Sequence, residues 1–373
     1  MQTVIIQRIV PHYRMPLFAR LYSEFGWVVA TDRPRGLDGL HVLNEQPEWL
    51  HHFAFKRSAN HQYRAVVPLN DIINSLAPDA VLAEFTPQMT STWRLAADAA
   101  LGRAGGRKLV FWSQGSNVER GFRKPQDLLL QSLRLGLMAP ADAHVCYSAE
   151  GAAYLRRWLP SKAPVFVAGN TVDMSLYEGR GVDTSQATAG ITNLLFVGRL
   201  THDKRVPMLI EALALARRVA PGLRLTIIGD GPEMPAVVAA AAGQEHAVKI
   251  VGPLYNDAAL APYFQAASLF VYAGSIGLAA NHALAYGVPV VIFDKPLGAR
   301  HHPEHRYVVD GVTGYRIASA TVKAMAECLI AQAAAPVPAK AALQVELERY
   351  VASNMTLDAM VKGFRELHDY LAK

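Results

Sequence analysis

Cysteine is almost absent from this sequence. Only Cys146 and Cys328 occur among 373 residues, far apart and each inside an apolar run. Neither belongs to a CxxC pair or has the surroundings of a catalytic nucleophile, which argues against a disulfide framework, a redox motif and a cysteine-based metal site. We expect two buried, unbridged thiols and a protein of the reducing cytoplasm.

Several other signatures are missing as well. The sequence has no Walker A loop, no HExxH or GxSxG motif, no zinc-ligand spacing and no short repeat, which argues against the classes that those patterns define. The first residues, MQTVIIQRIVP, have too short an apolar stretch for a signal peptide and no small-residue cleavage site. No Asp-rich strand end suits Mg²⁺ or Mn²⁺, so we expect neither a metal nor a bound cofactor.

Charged residues are absent from residues 267–293. A membrane-spanning helix needs about 20 predominantly apolar residues, whereas Gly274, Gly277, Gly287 and Pro289 break this stretch. The pattern therefore predicts a buried strand, a helix and a second strand rather than a membrane span.

The charge that is present is unevenly distributed. The net charge is +6, and residues 1–180 contain 20 Lys and Arg against 15 Asp and Glu, whereas the remainder contains 17 against 16. A basic N-terminal half indicates either an anionic partner, such as a phospholipid surface or a lipid diphosphate, or ordinary solvated charge. No nucleic-acid partner is expected.

Short apolar strands alternate with longer helical patterns along the chain, which predicts an α/β fold with mostly parallel, doubly wound sheets. The predicted strands are Thr3–Gln7, Trp27–Ala30, Ala80–Ala83, Lys108–Trp112, His144–Tyr147, Val165–Ala168, Leu194–Val197, Arg224–Ile228, Val248–Val251, Leu269–Tyr272 and Pro289–Phe293. The predicted helices are Thr92–Ala100, Gln126–Met138, Glu150–Trp158, Val206–Val219, Met234–Ala242, Asp257–Ala266, Gly277–Tyr286, Ala341–Val351 and Leu357–Leu371.

The length of the chain and a break in this alternation predict two domains. Residues 181–191 are rich in Gly, Ser and Thr without an apolar period and form the best linker. We expect an N-terminal domain over residues 1–180, a C-terminal domain over 192–350, and a last helix within 351–373 that packs back on the first domain. Two such domains facing one another leave a crevice at the carboxyl ends of both sheets, where ligands of these folds bind.

The pattern that carries chemistry is LLFVGRLTHDKRVPMLIEAL, residues 194–213. An apolar strand runs into Gly198 and Arg199, and after a polar turn Lys204 and Arg205 begin a helix. Cations in a first helical turn oppose the helix dipole by roughly 0.3–1 kcal/mol. A bound anion would reverse this misfit, because helix N-termini present unsatisfied N–H donors. We interpret Arg199 and Lys204 as phosphate ligands rather than as a solvated basic turn.

The following βα units carry features of lower specificity. One strand ends in the turn Gly229–Pro232, which permits close backbone approach. A later strand ends in a Gly-Ser-Ile-Gly turn, and on the small-residue helix after it Leu278, His282 and Tyr286 share a face. Next to Asn281, His282 is either a satisfied core residue or a ligand-binding one.

Five motifs of the C-terminal half, in order and spacing, resemble the GT-B retaining glycosyltransferases of family 4, the glycosyl transferases group 1. They are FVGRL…DK (196–204), IIGDGPE (227–233), VGPL (251–254), GL…HALAYGVPVV (277–291) and DGVTGY (310–315). The N-terminal half matches more loosely, at IVPHYRMPLF (9–18), VFWSQGSN (110–117) and VAGNTVD (167–173).

The resemblance implies a GT-B fold, with two Rossmann-like domains facing across a cleft. It also implies transfer of a sugar, with retention of configuration, from a nucleotide diphosphate sugar to a glycan or lipid-linked acceptor. A UDP- or GDP-sugar donor and a role in polysaccharide, lipopolysaccharide or glycoconjugate synthesis are the family-level expectations.

By the same resemblance, Arg199 and Lys204 are the catalytic cations that bind the donor diphosphate. The other implied donor-binding residues are Gly198, Leu254 beside the base, Gly277 and Leu278 through their N–H groups, and Asn281, His282 and Glu304. The leaving group's charge is then met by cations and N–H groups, so metal-independent activity is expected.

The chain departs from the family pattern at the usual glutamate pair, which would fall on Gly274 and His282. Gly274 has no side chain to contact the donor sugar, and a neutral His282 can accept only one hydrogen bond from the ribose. Pro303–Glu304 supplies a nearby carboxylate. The alternatives to a transferase are a GT-B-like sugar-nucleotide epimerase, a two-domain sugar-binding protein and an inactive, nucleotide-binding family member.

The acceptor is expected on the N-terminal domain, near His12, Tyr13 and Arg14 at the end of the first strand. Gln114 stands where the family often has a histidine, and we interpret it as a further sugar contact.

A stretch of the N-terminal half, Arg120–Met138, combines Arg123, Lys124 and Arg134 with six leucines. It predicts either a helix that lies on an anionic membrane beside a lipid-linked acceptor or a helix packed into the domain core. The first interpretation implies a peripheral location at the inner face of the cytoplasmic membrane.

Overall fold

The computed structural model describes residues 1–32, 47–58, 61–87, 89–115, 125–173, 190–254 and 256–373. The chain forms two compact units, which we call the first unit (Met1–Asp173 with Leu357–Lys373) and the second unit (Met174–Thr356). The predicted linker, residues 181–191, lies outside the described residues except for its last two positions.

The first unit is built on a parallel sheet of seven strands in the order β3-β2-β1-β6-β7-β8-β9, with β4 and β5 as a separate antiparallel pair. Its strands are β1 (Thr3–Gln7), β2 (Val28–Asp32), β3 (Leu50–Phe53), β4 (Lys56–Ser58), β5 (His61–Val66), β6 (Ala80–Glu84), β7 (Lys108–Ser113), β8 (Ala143–Cys146) and β9 (Val165–Val167). Its helices up to residue 173 are α1 (Met15–Phe25), α2 (Leu69–Leu76), α3 (Thr90–Ala100), α4 (Pro125–Met138) and α5 (Ala149–Trp158).

β1 lies in the middle of this sheet and is buried on both of its faces. All five of its residues are buried, which is typical of an interior strand in a parallel sheet. The register places Ile5 beside Val29 of β2 and Leu82 of β6. The strand order reverses between β1 and β6, and ligands of open α/β sheets bind at the carboxyl ends of the strands at such a point.

The second unit repeats this architecture with six parallel strands in the order β12-β11-β10-β13-β14-β15. Its strands are β10 (Thr192–Val197), β11 (Leu223–Ile228), β12 (Val248–Gly252), β13 (Leu269–Tyr272), β14 (Val290–Phe293) and β15 (Gly314–Ile317). The remaining helices are α6 (Val206–Arg217), α7 (Met234–Ala241), α8 (Asp257–Gln265), α9 (Ala279–Ala285), α10 (Val322–Ala334), α11 (Val337–Asn354) and α12 (Leu357–Leu371). Here the order reverses between β10 and β13.

The last helix, α12, is part of the first unit and packs on α1, β8 and β9. Phe364 is fully buried and meets the rings of Trp27 and Trp112 edge-on. Gly363 approaches β9 so closely that an added Cβ would lie 2.0 Å from the Val167 carbonyl oxygen. The helix therefore completes the core of the first unit.

The predicted α/β fold with parallel sheets is confirmed, and every predicted strand is present within two residues of its predicted ends. The strands β3, β4, β5 and β15 and the helices α1, α2 and α10 were not predicted. β3 (LHHF) and β15 (GYRI) are short and lack an apolar period. α1 contains Pro16, which resembles a chain break but is tolerated in a first helical turn.

The uncharged segment 267–293 forms β13, α9 and β14, as predicted. No helix in the described part of the chain is long and apolar enough to span a membrane. Cys146 is buried, whereas Cys328 is only partly buried, so the expectation of two buried thiols is wrong for Cys328. Burial nevertheless raises the pKa of the Cys328 thiol to about 11.

Candidate donor-binding site

The candidate site lies at the carboxyl ends of β10 and β13 in the second unit. β10 ends at Val197 and leads into Gly198 and Arg199, while β13 ends at Tyr272. The Tyr272 hydroxyl donates a hydrogen bond to the Val197 carbonyl oxygen. Because burial raises the pKa of Tyr272, this hydroxyl stays protonated and ties the two strand ends together.

The residues after β10 form a tight turn before the helix rather than its first turn. His202–Lys204 is a 3-10 turn, Arg205 has left-handed backbone geometry (φ 55°), and α6 begins at Val206. The prediction that Lys204 and Arg205 belong to the first turn of the helix is therefore wrong, because a left-handed residue cannot continue a right-handed helix, although the predicted start of the helix at Val206 is confirmed. The position of Lys204 is set by the turn instead.

Lys204 is bound to the loop that follows β13. Its Nζ atom donates to the Ser275 carbonyl oxygen at 2.9 Å and lies 3.2 Å from Asp203 Oδ2. Burial disfavours the Asp203 carboxylate, but hydrogen bonding from Thr201 and the charge of Lys204 outweigh it and lower the pKa of Asp203. The ammonium therefore sits in a charged, hydrogen-bonded turn with 16% of its side chain exposed.

Arg199 has the opposite character. Its side chain is exposed, and it makes no hydrogen bond or ion pair with the residues that the structure describes. A guanidinium with all five donors available is suited to bidentate binding of a phosphate. Arg199 and Lys204 are thus a solvent-facing cation and an anchored one at the same strand end.

Gly274 follows β13 against the turn that contains Lys204. A Cβ at Gly274 would lie 2.0 Å from the Asp203 carbonyl oxygen, a distance that real Cβ atoms do not reach. The Ser275 N–H donates to the same carbonyl oxygen at 2.8 Å. The backbone of residues 203–204 therefore occupies the space that a side chain at position 274 would need.

The loop continues to α9, which begins at Ala279, two residues later than predicted. No hydrogen bond within the described residues uses the N–H groups of Gly277 or Leu278, so both remain available to a ligand. In α9, Asn281 is completely buried and His282 is partly exposed.

The remaining predicted donor residues lie on other segments of the second unit. Glu304 is 4% exposed and belongs to a 3-10 turn, Pro303–Tyr307, that packs against α9. Leu254 is partly buried in the segment after β12, the strand at the outer edge of the sheet. The structure thus places Gly198 and Arg199 directly after β10 and joins Lys204 to the β13–α9 loop through the Ser275 carbonyl oxygen.

Sequence reasoning missed His301 and His302, which hold this loop in place. The Ile276 N–H donates to His301 Nδ1 at 3.2 Å, and the His302 N–H donates to the Ile276 carbonyl oxygen at 2.8 Å. The signal that could have identified them is the run His-His-Pro-Glu at residues 301–304. The family resemblance draws attention only to its Pro-Glu pair.

In the first unit, Arg14 lies in a short 3-10 turn after β1. Its guanidinium bonds to Gln7 Oε1 at 3.3 Å and the Tyr147 hydroxyl at 3.0 Å, and it stacks on the Trp112 ring at 4.9 Å. Burial disfavours the charge, but the neighbouring Tyr147, Tyr13 and Glu84 outweigh it and raise the pKa of Arg14. Arg14 therefore joins the ends of β1, β7 and β8.

The other acceptor-side candidates are placed less specifically. His12 belongs to the same 3-10 turn as Arg14, and Gln114 is exposed directly after β7. Arg123 and Lys124 lie outside the described residues, whereas the Arg134 guanidinium in α4 stacks over the Phe85 ring at 5.5 Å.

Residues 191–334 match the family model described as "Glycosyl transferases group 1". This segment contains β10 to β15 and the candidate donor site, and it is similar to the glycosyl transferases group 1 domain.

Curated relatives match over part of the chain. Glycogen synthase of Mycobacterium tuberculosis (strain ATCC 25618 / H37Rv) is 32% identical over 136 residues, 35% of this chain and 32% of that protein. D-inositol 3-phosphate glycosyltransferase of Mycobacterium avium (strain 104) is 30% identical over 186 residues, 46% of this chain and 41% of that protein. The matches span about a third to two fifths of these relatives' length.

Solved structures match the whole chain and establish its fold. Anabaena Alr3699/HepE in complex with UDP has a TM-score of 0.71 at 16% identity, covering 99% of this chain and 100% of that one. Sucrose-phosphate synthase from Thermosynechococcus elongatus has a TM-score of 0.73 at 17% identity, covering 100% and 99%. The chain has the GT-B fold, with two Rossmann-like domains of seven and six parallel strands.

Proposed function

We propose that this protein is a retaining, metal-independent glycosyltransferase of family 4 that takes a sugar from a nucleotide diphosphate sugar. The observation that carries the proposal is the arrangement at the end of β10. An exposed Arg199 follows β10 directly, and the anchored Lys204 contacts a loop whose Gly277 and Leu278 N–H groups are unused within the described part of the chain. Cations and N–H donors of this kind bind phosphate oxygens.

In the proposed reaction the bond between the sugar's anomeric carbon and the diphosphate oxygen breaks, and a bond from an acceptor hydroxyl forms on the same face. The leaving diphosphate gains negative charge, which Arg199 and Lys204 stabilise. Such preorganised charge is worth about 3–4 kcal/mol per donor in a water-poor site. The acceptor proton passes to the leaving phosphate, so no side chain is needed as general base.

UDP and GDP sugars are the donors to test, and UDP comes first because the Anabaena structural relative was solved with UDP. The buried Asn281 and Glu304 and the partly exposed His282 lie around α9. We assign them to the donor sugar and ribose, with Leu254 at the base. Acceptor contacts are assigned to His12, Arg14 and Gln114.

The decisive assay incubates the purified protein with a panel of UDP- and GDP-sugars, with and without oligosaccharide and lipid-linked acceptors. Transfer predicts nucleotide release only when an acceptor is present, and undiminished activity in excess EDTA. Conversion of the donor without any acceptor would identify an epimerase. Binding without turnover would identify a non-catalytic nucleotide-binding member, and activity lost in EDTA but restored by Mn²⁺ would refute metal independence.

We further propose that the acceptor is lipid-linked and that the first unit rests on the inner, anionic face of the cytoplasmic membrane. α4 buries Leu135 and Met138 but exposes other apolar residues: Leu129, Leu130 and Leu133 are more than half exposed, while the polar Gln131 is buried. Trp93, in the first turn of the neighbouring α3, is 49% exposed. Apolar anchors on a basic domain suit an anionic bilayer.

Co-sedimentation with vesicles containing anionic lipid tests this proposal. Wild-type protein should bind, and Leu129→Gln with Leu133→Gln should reduce binding at least fivefold. A matched substitution on an exposed residue elsewhere, Val219→Gln in the second unit, should leave binding unchanged. Equal binding by all three proteins, or no binding by the wild type, would contradict the membrane proposal.

A further inference from the structure

We infer that His301 is a positioning residue: it fixes the peptide group of the β13–α9 loop whose carbonyl oxygen accepts a hydrogen bond from Lys204. This inference rests on the proposed donor site and deepens it. It is carried by two consecutive peptide groups of the β13–α9 loop, each of which is held from the segment at residues 301–302.

The first of these peptide groups joins Ser275 to Ile276. Its N–H donates to His301 Nδ1 at 3.2 Å, and its carbonyl oxygen accepts from Lys204 Nζ at 2.9 Å. A trans peptide is planar, with its N–H and C=O pointing in opposite directions. His301 and Lys204 therefore hold opposite edges of one rigid group.

The second peptide group joins Ile276 to Gly277. Its carbonyl oxygen accepts from the His302 N–H at 2.8 Å. By the same planarity, the Gly277 N–H points away from the His302 backbone. This is one of the two N–H groups proposed to bind the donor phosphate, so the 301–302 segment sets its direction.

His301 can serve as an acceptor only when Nδ1 carries no proton. Its Nε2 lies 2.8 Å from the Phe293 carbonyl oxygen, which can only accept. The proton therefore resides on Nε2 and leaves Nδ1 as the acceptor for Ile276. The imidazole thus bridges the end of β14 and the donor loop.

The surroundings keep the imidazole neutral. His305 stacks on it at 5.0 Å, and Arg316, which is paired with Asp294, lies among the charges around it. Burial is the main reason that the pKa of His301 is lowered, to about 4, and the charges of His305 and Arg316 act in the same direction. The hydrogen bond to Phe293 opposes them. Nδ1 therefore stays unprotonated across the physiological range.

Three substitutions distinguish the contributions of the two ring nitrogens of His301. His301→Asn places an amide oxygen where Nδ1 was, and His301→Gln reaches only the Nε2 position, whereas His301→Phe removes both bonds and keeps the ring. His246→Phe, an exposed histidine of the same unit, is the matched control. All five proteins, including the wild type, are full-length.

Two measurements are made on each protein: amide hydrogen exchange of the peptide spanning residues 273–278, and calorimetric titration with UDP and with GDP. We expect faster exchange and at least tenfold weaker nucleotide binding for His301→Phe and His301→Gln. His301→Asn should stay within about threefold of the wild type, and His246→Phe should match it.

Unchanged exchange and affinity in His301→Phe would overturn the inference, as would equal behaviour of His301→Asn and His301→Gln. If His301→Phe does not fold, the comparison of His301→Asn with His301→Gln decides alone. If the wild type binds neither UDP nor GDP, the proposed function fails. The exchange data then still decide whether His301 positions the loop.

Discussion

Gly274 occupies a position where a side chain has no room, because the Asp203 carbonyl oxygen lies where its Cβ would be. In the family that the sequence resembles, a glutamate falls at this position. The sequence revealed the absent carboxylate, but its cause, the packing of the 203–204 backbone against the loop, depends on residues some 70 positions away and became visible only in the fold.

We predict that Gly274→Ala destabilises the protein by about 1–3 kcal/mol, the usual cost of overpacking, and weakens nucleotide binding by displacing the Lys204 turn. Denaturant titration and calorimetry measure the two effects. Gly136→Ala is the control, since nothing lies within 4 Å of its added Cβ and a helical Gly→Ala change stabilises by roughly 0.5–1 kcal/mol. A Gly274→Ala protein with wild-type stability and affinity would contradict the packing argument.

The burial of His144 leads us to predict that the protein loses folding stability in acid. It is fully buried in β8, and burial lowers its pKa from 6.5 to about 4. As pH falls from 6.5 to about 4, the unfolded chain binds a proton that the folded chain does not, so the free energy of unfolding decreases in this window. With about 1.4 kcal/mol per pKa unit, the loss is on the order of 3 kcal/mol.

This prediction is tested by the pH dependence of the unfolding free energy in wild type and His144→Leu. The difference in free energy between pH 7 and pH 4.5 should be smaller in His144→Leu, whatever its absolute stability. Parallel curves for the two proteins would show that His144 titrates normally in the folded state.

At the scale of elements, most strands follow from local apolar runs, whereas elements fixed by distant partners do not. Leu269–Tyr272 was predicted to the residue because it is a continuous apolar run bounded by a glycine turn. α9 starts two residues later than predicted, and the loop before it is held by bonds from Ile276 to His301 and His302, a contact between segments 25 residues apart. Arg205 likewise ends its turn in a conformation that residue type alone does not indicate.

The helix α12 provides the element-scale prediction. Phe364→Ala should destabilise the first unit by about 3–5 kcal/mol, the usual cost of removing a buried aromatic ring, because its ring contacts Trp27 and Trp112. The intrinsic fluorescence of these tryptophans during denaturation is a suitable measurement. Lys362→Ala, two residues before Phe364 on the exposed side of the same helix, should change stability by less than about 0.5 kcal/mol, and an equal effect of both changes would contradict the assigned packing.

At the scale of the whole molecule, the sequence was sufficient for the two α/β domains and their GT-B fold, because βα alternation and motif order are properties of the chain itself. The apolar period near the end of the chain likewise predicted the helix α12. What the sequence could not supply is how the donor loop is held, since the Ser275–Lys204 and Ile276–His301 bonds join separate loops of one sheet edge.

The central claim is that Arg199 and Lys204 bind a nucleoside diphosphate, and calorimetric titration of the full-length protein with UDP and GDP tests it most directly. The wild type should bind at least one of them, and the Arg199→Ala, Lys204→Ala double variant should bind it at least 100-fold more weakly while remaining folded. A control that removes two exposed cations of the same unit, Arg224→Ala with Lys323→Ala, should bind like the wild type. Equal affinity of the Arg199, Lys204 double variant and the wild type, or no binding by the wild type, would contradict the account.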